Sequence, residues 1–390
     1  MVRLLHTADW HLGRRLFGVD RLPEARAALA EVRAVAERER VDAVLVAGDL
    51  LERRVVEPAP LGACLEGFER LAEVAPVVAV TGNHDDPDFW GHLAPYLASR
   101  GIHLVTRVKR PADAVLSLST RGGPLHVACL PWVDPARTDV ALGAGGREVR
   151  RTYADDLASM IDRYADELRG RRAADGGAAV LLGHAMVEGA RAGGGEREMT
   201  LGIAYAVASG VMPTDLDYLA LGHVHRGQAL GRVAAAGGYA GSLLALDFSE
   251  DNHSKGVAVA EIGAGGTTVR EVPIAGGRPL VRLRGRLDAL PALAAEHPGA
   301  FFFCEVDLER ADLDLAREVR ERVPDALRIE PRYPGAPEGA AGGEEGDGAP
   351  VRTLAEHYSD WYARLGTPLD PRQAAAFEEA LEAAAAGVEG

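Results

Sequence analysis

The sequence has almost no lysine, few cysteines and no long apolar run. The cysteines and the apolar runs bear on the compartment in which the protein works. Lysine occurs only at positions 109 and 255, so nearly all the basic charge is arginine. The three cysteines, Cys64, Cys129 and Cys304, stand far apart in apolar surroundings, as small buried side chains do in a reducing compartment. No apolar run approaches the ~18 residues of a membrane span, and the first residues lack the plan of a secretory signal peptide. We therefore expect a cytoplasmic protein that does not associate with a membrane.

Net positive charge is also missing, because the formal net charge is −15 at pH 7. This charge argues against non-specific binding of a polyanion through a broad basic face. It does not exclude nucleic acid at a site where metal ions supply the positive charge. The 390 residues are 47% hydrophobic and 26% charged, which predicts one large globular core and leaves room for a second, small domain.

Five short apolar runs recur along the chain, and each ends at a small residue that a polar side chain follows. The runs lead to Asp9 and His11, to Asp49, to Asn83, His84 and Asp85, to His184, and to His223 and His225. Apolar runs of this length, rich in valine and leucine, indicate buried strands. Because open α/β sheets place ligands at the carboxyl ends of their strands, we predict that these side chains form one site.

The remaining patterns predict an α/β fold, a four-layer sandwich of two sheets with helices outside. Helical periodicity over 23–40 and 61–72 alternates with the first three strands, which predicts parallel pairing and right-handed crossovers. Short strands at 102–105, 114–118 and 125–130 predict a second, more antiparallel sheet. A charged helix over 153–172 and several later strands complete this domain.

Glycine and charge patterns divide the chain into four segments. We predict a main domain over 1–275, a small α+β capping domain over 276–334, a disordered acidic linker over 335–350, and C-terminal helices over 351–390. A glycine-rich loop over 189–195 is expected to be mobile. Four apolar side chains of the last segment fall on one helical face, and we interpret them as a docking element for a partner chain; the alternative is packing against the chain's own domain. These residues are Leu354, Tyr358, Trp361 and Leu365.

The polar residues after the five strands suit a pair of divalent ions. Two ions ~3.5–4 Å apart share a bridging carboxylate and suit phosphodiester hydrolysis, and Asp49 is the candidate bridge. Carboxylate, imidazole and amide oxygen together favour Mn²⁺, with Fe²⁺ or Zn²⁺ as alternatives and Mg²⁺ less favoured. The absence of thiolate argues against a structural zinc site. Singly, Asp49 could instead cap a helix and Asn83 could serve a turn; the shared position after five strands is what favours a metal site.

Taken in order, these motifs resemble the signature of the calcineurin-type metallophosphoesterases. They are Asp9-x-His11, Gly48-Asp49, Gly82-Asn83-His84-Asp85, Gly183-His184 and Gly222-His223-x-His225. Longer stretches over 6–13, 220–226, 239–242 and 247–250 are similar to the SbcD family, the nuclease subunits of bacterial SbcCD complexes. This resemblance covers residues 1 to 333, and the last two helices resemble the family's segment that docks on the ATPase subunit.

The resemblance implies a role for each residue of the signature. One metal ion would be held by Asp9, His11, Asp49 and His225, and the other by Asp49, Asn83, His184 and His223. His84 would face the scissile phosphate and stabilise charge or protonate the leaving oxygen, and Asp85 would orient His84. The sequence departs from the family at Leu50-Leu51-Glu52, where relatives commonly carry an aromatic residue and an aspartate, so the resemblance assigns no role to Glu52.

The resemblance also implies a function and partners. We expect a Mn²⁺-dependent DNA exonuclease and endonuclease that acts on double-strand ends and hairpins in repair, recombination and replication. It would work with an SbcC-type coiled-coil ATPase, as a homodimer within a heterotetramer, on the cytoplasmic nucleoid. Candidate phosphate contacts lie beside the first metal loop and in a basic segment further on. They are Arg14, Arg15, Arg21, Arg107, Lys109 and Arg110.

Two other functions compete with this one. A stand-alone phosphoesterase on a small phosphodiester or a phosphoprotein would carry the same signature, but it needs neither a capping domain nor docking helices. A non-catalytic scaffold on the same fold would have lost ligands, whereas every ligand position here is filled. A neighbouring gene for a very long coiled-coil ATPase would favour the nuclease.

Overall fold

The computed structural model describes most of the first 333 residues and little beyond them. The described residues are 1–134, 146–191, 206–231, 233, 235–250, 254–310, 312, 314–333, 373 and 377, with side chains of 146–152 excepted. Two compact units are formed by Met1–Pro334 and Gly335–Gly390. Our predictions for the loop over 192–195, for the acidic linker and for Leu354, Tyr358, Trp361 and Leu365 lie outside the described residues.

The first half of the chain alternates strands with helices. In chain order its elements are β1 (Val2–Thr7), β2 (Arg15–Leu16), β3 (Val19–Asp20), α1 (Leu22–Glu39), β4 (Ala43–Ala47), α2 (Pro58–Ala72), β5 (Val77–Val80), α3 (Pro87–Ala98), β6 (Ile102–Val105), α4 (Pro111–Ala114), β7 (Val115–Thr120), β8 (Gly123–Leu130) and α5 (Gly146–Asp175). Proline at the start of α1, α2 and α3 suits a first helical turn, where no N–H partner is needed. The predicted alternation of strand and helix is thus present.

The second half contributes mostly strands. They are β9 (Ala178–His184), β10 (Tyr218–Gly222), β11 (Gln228–Ala229), β12 (Gly237–Tyr239), β13 (Gly256–Gly263), β14 (Gly266–Pro273), β15 (Leu280–Gly285), β16 (Phe301–Asp307) and β17 (Ala326–Arg332), with helices α6 (Leu290–Ala295) and α7 (Leu315–Arg322). No helix in the described part of the chain combines the length and the hydropathy that a membrane span requires.

Two six-stranded sheets carry the site. The first has the order β14-β13-β1-β4-β5-β6, and the second has the order β11-β12-β10-β9-β8-β7. β1, β4, β5 and β6 are parallel, and so are β8, β9, β10 and β12. The prediction of a more antiparallel second sheet was wrong, because its central strands are parallel. Only the outer strands β7 and β11 pair antiparallel with their neighbours. Residues 102–105 also join the first sheet rather than the second, because β6 pairs with β5.

Three apolar cores separate the layers. One lies between the sheets and includes Leu4, Val80, Val180 and Ala220. A second packs α1 to α3 on the outer face of the first sheet, and a third packs α5 on the outer face of the second. Strand side chains alternate between these cores, so that Leu4 faces the second sheet and Leu5 faces the helices. The predicted four-layer α/β sandwich is confirmed.

A smaller sheet follows the sandwich. β15, β16 and β17 are parallel and share a core with α6 and α7 that includes Leu283, Leu290 and Val319. Aromatic residues Phe301 and Phe303 of β16 pack with Leu16 and Phe248 of the sandwich. Three strands and two helices are what we expected of the small α+β segment over 276–334. The division of the chain into four segments stays a prediction.

Candidate metal centre

The predicted ligands meet where parallel strands of both sheets end. Asp9, Asp49 and Asn83 follow β1, β4 and β5 of the first sheet. His184 ends β9 of the second sheet, and His223 follows β10. Within each sheet the central strands are parallel, so their carboxyl ends lie at one edge of that sheet. The contact of His184 with Ala47 shows that the two edges meet. Three sets of side chains lie close enough to share an ion: Asp9, His11 and His225; Asp49, His184 and His223; and His11, Glu52 and His84.

The backbone at this site is strained in a way that ordinary loops avoid. Among the described residues, six that are not glycine have positive φ, and four of them are predicted ligands: Asp9 (49°), His11 (45°), Asp49 (49°) and His223 (98°). Left-handed backbone is unfavourable for residues with a Cβ atom and concentrates at functional sites, where surrounding contacts hold it. Here one such contact is the Asp9 carboxylate, which accepts a hydrogen bond from the His223 backbone N–H at 3.0 Å.

The His184 ring shows that one half of the cluster is built for a cation. Its Nδ1 lies 2.7 Å from the carbonyl oxygen of Ala47, so Nδ1 carries the proton and Nε2 keeps a lone pair. That lone pair faces Asn83 Oδ1 at 3.0 Å and Asp49 Oδ2 at 3.5 Å. Three acceptors directed at one point repel one another unless a positive charge lies between them.

The His11 ring repeats the arrangement in the other half. Its Nδ1 donates to Glu52 Oε2 at 2.9 Å, which leaves a lone pair on Nε2. This atom faces Asp49 Oδ2 at 3.5 Å and His225 Nε2 at 3.1 Å. The same carboxylate oxygen of Asp49 therefore lies at 3.5 Å from a ligand nitrogen in each half, as a bridge between two ions requires.

Burial keeps these imidazoles in the form that binds metals. Loss of solvation lowers the pKa of His11 to about 4 and the pKa of His223 to about 3, and it also lowers the pKa of His184. Neutral imidazole is the metal ligand, so protons do not compete near neutral pH. Buried carboxylates, an amide oxygen and neutral imidazoles together fit divalent cations and disfavour a site for any anion.

Comparison with known proteins agrees with this geometry. The family model for calcineurin-like phosphoesterases matches residues 2–227. Three relatives are each named as SbcD of the nuclease SbcCD. The one from Bacillus subtilis is 32% identical over 286 residues, which cover 72% of both chains. The one from Rhodobacter capsulatus is 32% identical over 314 residues and 75% of both chains. The one from Escherichia coli K12 is 27% identical over 342 residues, 82% of this chain and 81% of the relative. The chain belongs to the SbcD family. The three relatives are named as nucleases, and the resemblance found in the motifs is confirmed.

His84 lies at the edge of this SbcD-family site, and its ring is held differently from our expectation. Its Nδ1 donates to the carbonyl oxygen of Glu52 at 2.7 Å, and its backbone N–H donates to Asp49 Oδ1 at 2.8 Å. The prediction that Asp85 orients His84 was wrong. The Asp85 carboxylate instead accepts hydrogen bonds from the backbone N–H groups of Leu50, Leu51 and Gly82. Asp85 thereby fixes the loop that carries Asp49; burial, and then the Asp49 charge, raise the pKa of Asp85 to about 7.

Three residues that sequence reasoning missed support the cluster. Glu52 binds both His11 and the guanidinium of Arg14, at 2.9 and 2.8 Å. Glu250 is buried with Lys255, and its Oε1 lies 3.7 Å from His225 Nδ1. Trp132 stacks on His223. Glu52 and Glu250 lie in stretches that resemble or depart from the family pattern, but only the folded structure shows which imidazole each one contacts.

The candidate DNA contacts divide into exposed and buried residues. Arg15, Arg107, Lys109 and Arg110 are exposed, which leaves them able to meet a phosphate. Arg107 pairs with Asp88, and Arg110 pairs with Asp113 at 3.1 Å. Arg14 is half-buried on Glu52. The prediction that Arg21 contacts DNA was wrong, because its side chain is only 2% exposed. Its guanidinium donates to Glu24 and to the carbonyl of Ala245.

Replacing Glu52 by glutamine should weaken binding of one of two Mn²⁺ ions about 10- to 100-fold, as loss of an outer carboxylate on a histidine ligand typically does. The amide keeps the shape of the side chain and can still accept from His11 Nδ1, but it loses the negative charge that makes this imidazole a stronger ligand. Isothermal titration calorimetry on the wild type and the variant measures this loss. The matched control is Glu66→Gln, which removes a carboxylate on the exposed face of α2. Equal Mn²⁺ affinity in wild type and Glu52→Gln would contradict the role of Glu52.

Proposed function

We propose that the chain is the nuclease subunit of an SbcCD-type complex and cleaves double-stranded DNA ends and hairpins in a Mn²⁺-dependent reaction. The observation that carries the proposal is the position of Asp49, whose Oδ2 lies 3.5 Å from Nε2 of both His11 and His184. Two ligand sets joined by one carboxylate suit hydrolysis of a phosphodiester.

The contacts support the two ligand sets that the resemblance implies. Asp9, His11, Asp49 and His225 would hold one ion, and Asp49, Asn83, His184 and His223 would hold the other. Bound divalent ions would polarise the phosphate and lower the pKa of a water nucleophile. Mixed carboxylate, amide and imidazole donors without thiolate favour Mn²⁺ over Mg²⁺, with Fe²⁺ and Zn²⁺ as alternatives.

The chain's own residues would position the substrate and move a proton. The resemblance leaves His84 out of both ligand sets, and its Nδ1 donates to the Glu52 carbonyl. Its Nε2 is then the ring atom that can face a phosphate, where the doubly protonated ring would stabilise charge or give its Nε2 proton to the leaving oxygen. Asp85 would act indirectly, by holding the loop after β4 on which Asp49 depends.

DNA would approach through a local basic rim. The net charge of −15 argues against a broad basic face, and the ions would supply most of the attraction at the centre. Arg15, Arg107, Lys109 and Arg110 are exposed and stay candidates for phosphate contacts. Arg54 joins them, because its side chain is 48% exposed and its Nε donates to the backbone carbonyl of Asn83 at 3.3 Å.

The partners are proposed from the relatives, whose name describes one part of a two-part nuclease. We propose an SbcC-type ATPase that docks on the segment 351–390, a homodimer within a heterotetramer, and a cytoplasmic location on nucleoid DNA. Residues 276–334 would serve as the capping domain beside the nuclease domain over 1–275.

The proposal is tested by Mn²⁺-dependent cleavage of end-labelled duplex and hairpin DNA, with and without the ATPase partner. Asp49→Asn should abolish cleavage, whereas the control Asp166→Asn, at an exposed aspartate that pairs with Arg169, should retain it. Hydrolysis of a small phosphodiester without cleavage of DNA in any combination would instead support a stand-alone phosphoesterase. Metal binding without hydrolysis of either substrate would support a scaffold.

Removal of the metal gives a second test on the same substrates. Treatment with EDTA should abolish cleavage, because the proposed reaction needs divalent ions to polarise the phosphate and to activate water. Added Mn²⁺ should restore the wild-type rate, and Mg²⁺ should restore less of it, since imidazole-rich sites bind Mg²⁺ poorly. Full activity in EDTA, or better recovery with Mg²⁺ than with Mn²⁺, would contradict the assignment.

A further inference from the structure

The imidazoles of the cluster are not all anchored in the same way. His11 is held by Glu52, His184 by the carbonyl of Ala47, and His84 by the carbonyl of Glu52. In each of these rings one nitrogen is fixed by a hydrogen bond, so the plane of the ring and its tautomer are set.

His223 lacks such an anchor. Its Nδ1 faces Asn83 Oδ1 at 3.0 Å, on the side of the cluster. Its Nε2 is buried and makes no hydrogen bond with any described residue. The backbone N–H is fixed by Asp9, but the last torsion of a histidine side chain is broad. Some other contact must therefore hold the plane of this ring.

Trp132 supplies that contact. Its indole stacks on the His223 ring with centroids 5.1 Å apart and planes 25° apart. It also meets the His184 ring edge-on at 6.1 Å and 80°. Trp132 follows β8 of the second sheet, and its backbone N–H donates to the carbonyl of Thr81 at 2.9 Å. The indole is thus tied to the first sheet while it packs on a ligand of the second.

We propose that Trp132 is a positioning residue that sets the metal affinity of one site only. By stacking, it fixes the plane of His223 and with it the direction of Nδ1 toward the ion shared with Asp49, Asn83 and His184. This inference rests on the proposed two-metal function. It assigns to an aromatic face the task that carboxylates and carbonyls perform for the other imidazoles.

The test is Mn²⁺ binding by the full chain without DNA, measured by calorimetry and by electron paramagnetic resonance. In Trp132→Ala, one of the two ions should bind about tenfold more weakly or worse, as loss of an outer contact on a ligand typically does, and the other should be unchanged. Trp132→Leu, which keeps apolar bulk but has no ring, should show the same loss. Trp132→Phe should restore binding to within about threefold of wild type, because a smaller aromatic face still stacks.

Tyr96→Ala, at a 53% exposed aromatic residue of α3, serves as the control for loss of an aromatic ring. Unchanged affinity in Trp132→Leu, equal weakening of both ions, or failure of Trp132→Phe to restore binding would each overturn the inference. A wild type that binds two Mn²⁺ ions but cleaves no DNA would overturn the proposed function alone. A wild type that does not bind two ions would overturn both.

Discussion

Replacing His84 by glutamine should lower kcat for Mn²⁺-dependent DNA cleavage about 10²- to 10⁴-fold, the usual contribution of a positioned general acid or base, and should leave Mn²⁺ affinity unchanged. The two effects should separate because neither of the proposed ligand sets includes this ring. Its Nδ1 is committed to the Glu52 carbonyl, and its ring meets the His11 ring edge-on at 4.7 Å. Glutamine can still donate a hydrogen bond but cannot transfer a proton at neutral pH. Single-turnover cleavage of labelled duplex DNA and calorimetric titration with Mn²⁺ measure the two quantities.

His92→Gln is the matched control for this change. His92 is exposed on α3, so its loss should alter neither rate nor affinity. A His84 variant that cleaves at the wild-type rate would remove His84 from the chemistry. A variant that loses Mn²⁺ as well as activity would make His84 a ligand, and the assignment of ligands would then need revision.

Local sequence patterns predicted the positions of the strands and of their ends better than they predicted how the strands pair. Each of the five apolar runs is a buried strand, because alternation and burial are local properties of a run. Which sheet a run joins depends on distant partners. Residues 102–105 have no local feature that separates pairing with β5 from pairing with β8, and the structure places them beside β5.

The same limit explains the residues around the metal centre that were missed or misjudged. Arg21 looks like an exposed basic residue in the sequence, yet its partners include the carbonyl of Ala245, 224 residues away. Trp132 follows β8 but presents an aromatic ring rather than a ligand, so a pattern of polar residues after strands does not include it. Glu52 departs from the family pattern, and its contact with His11 spans 41 residues. Contacts of this separation are set by the fold and not by local spacing.

The close approach of the two sheets predicts a second large effect. A Cβ atom added at Gly222 of β10 would lie 1.9 Å from the carbonyl oxygen of Ala47 in β4. Relief of this clash requires a backbone shift, because Gly222 and Ala47 are the last residues of strands that lie inside their sheets. Gly222→Ala should therefore lower the free energy of unfolding by about 3 kcal/mol or more, at the upper end of overpacking effects. Urea unfolding of the metal-free protein in EDTA measures this change apart from any loss of metal binding.

Gly62→Ala provides the comparison, because the added methyl in α2 meets no atom within 4 Å and should stabilise the helix by about 0.5–1 kcal/mol. Opposite signs at the two glycines would show that space, and not the loss of glycine itself, decides the outcome. Equal stability of Gly222→Ala and wild type would contradict the close contact between β4 and β10.

Gly82→Ala extends the argument to the site, since its Cβ would lie 2.1 Å from Asp49 Oδ1. That variant should lose Mn²⁺ binding even where it folds, because the loop after β5 can approach the Asp49 carboxylate only without a side chain at this position.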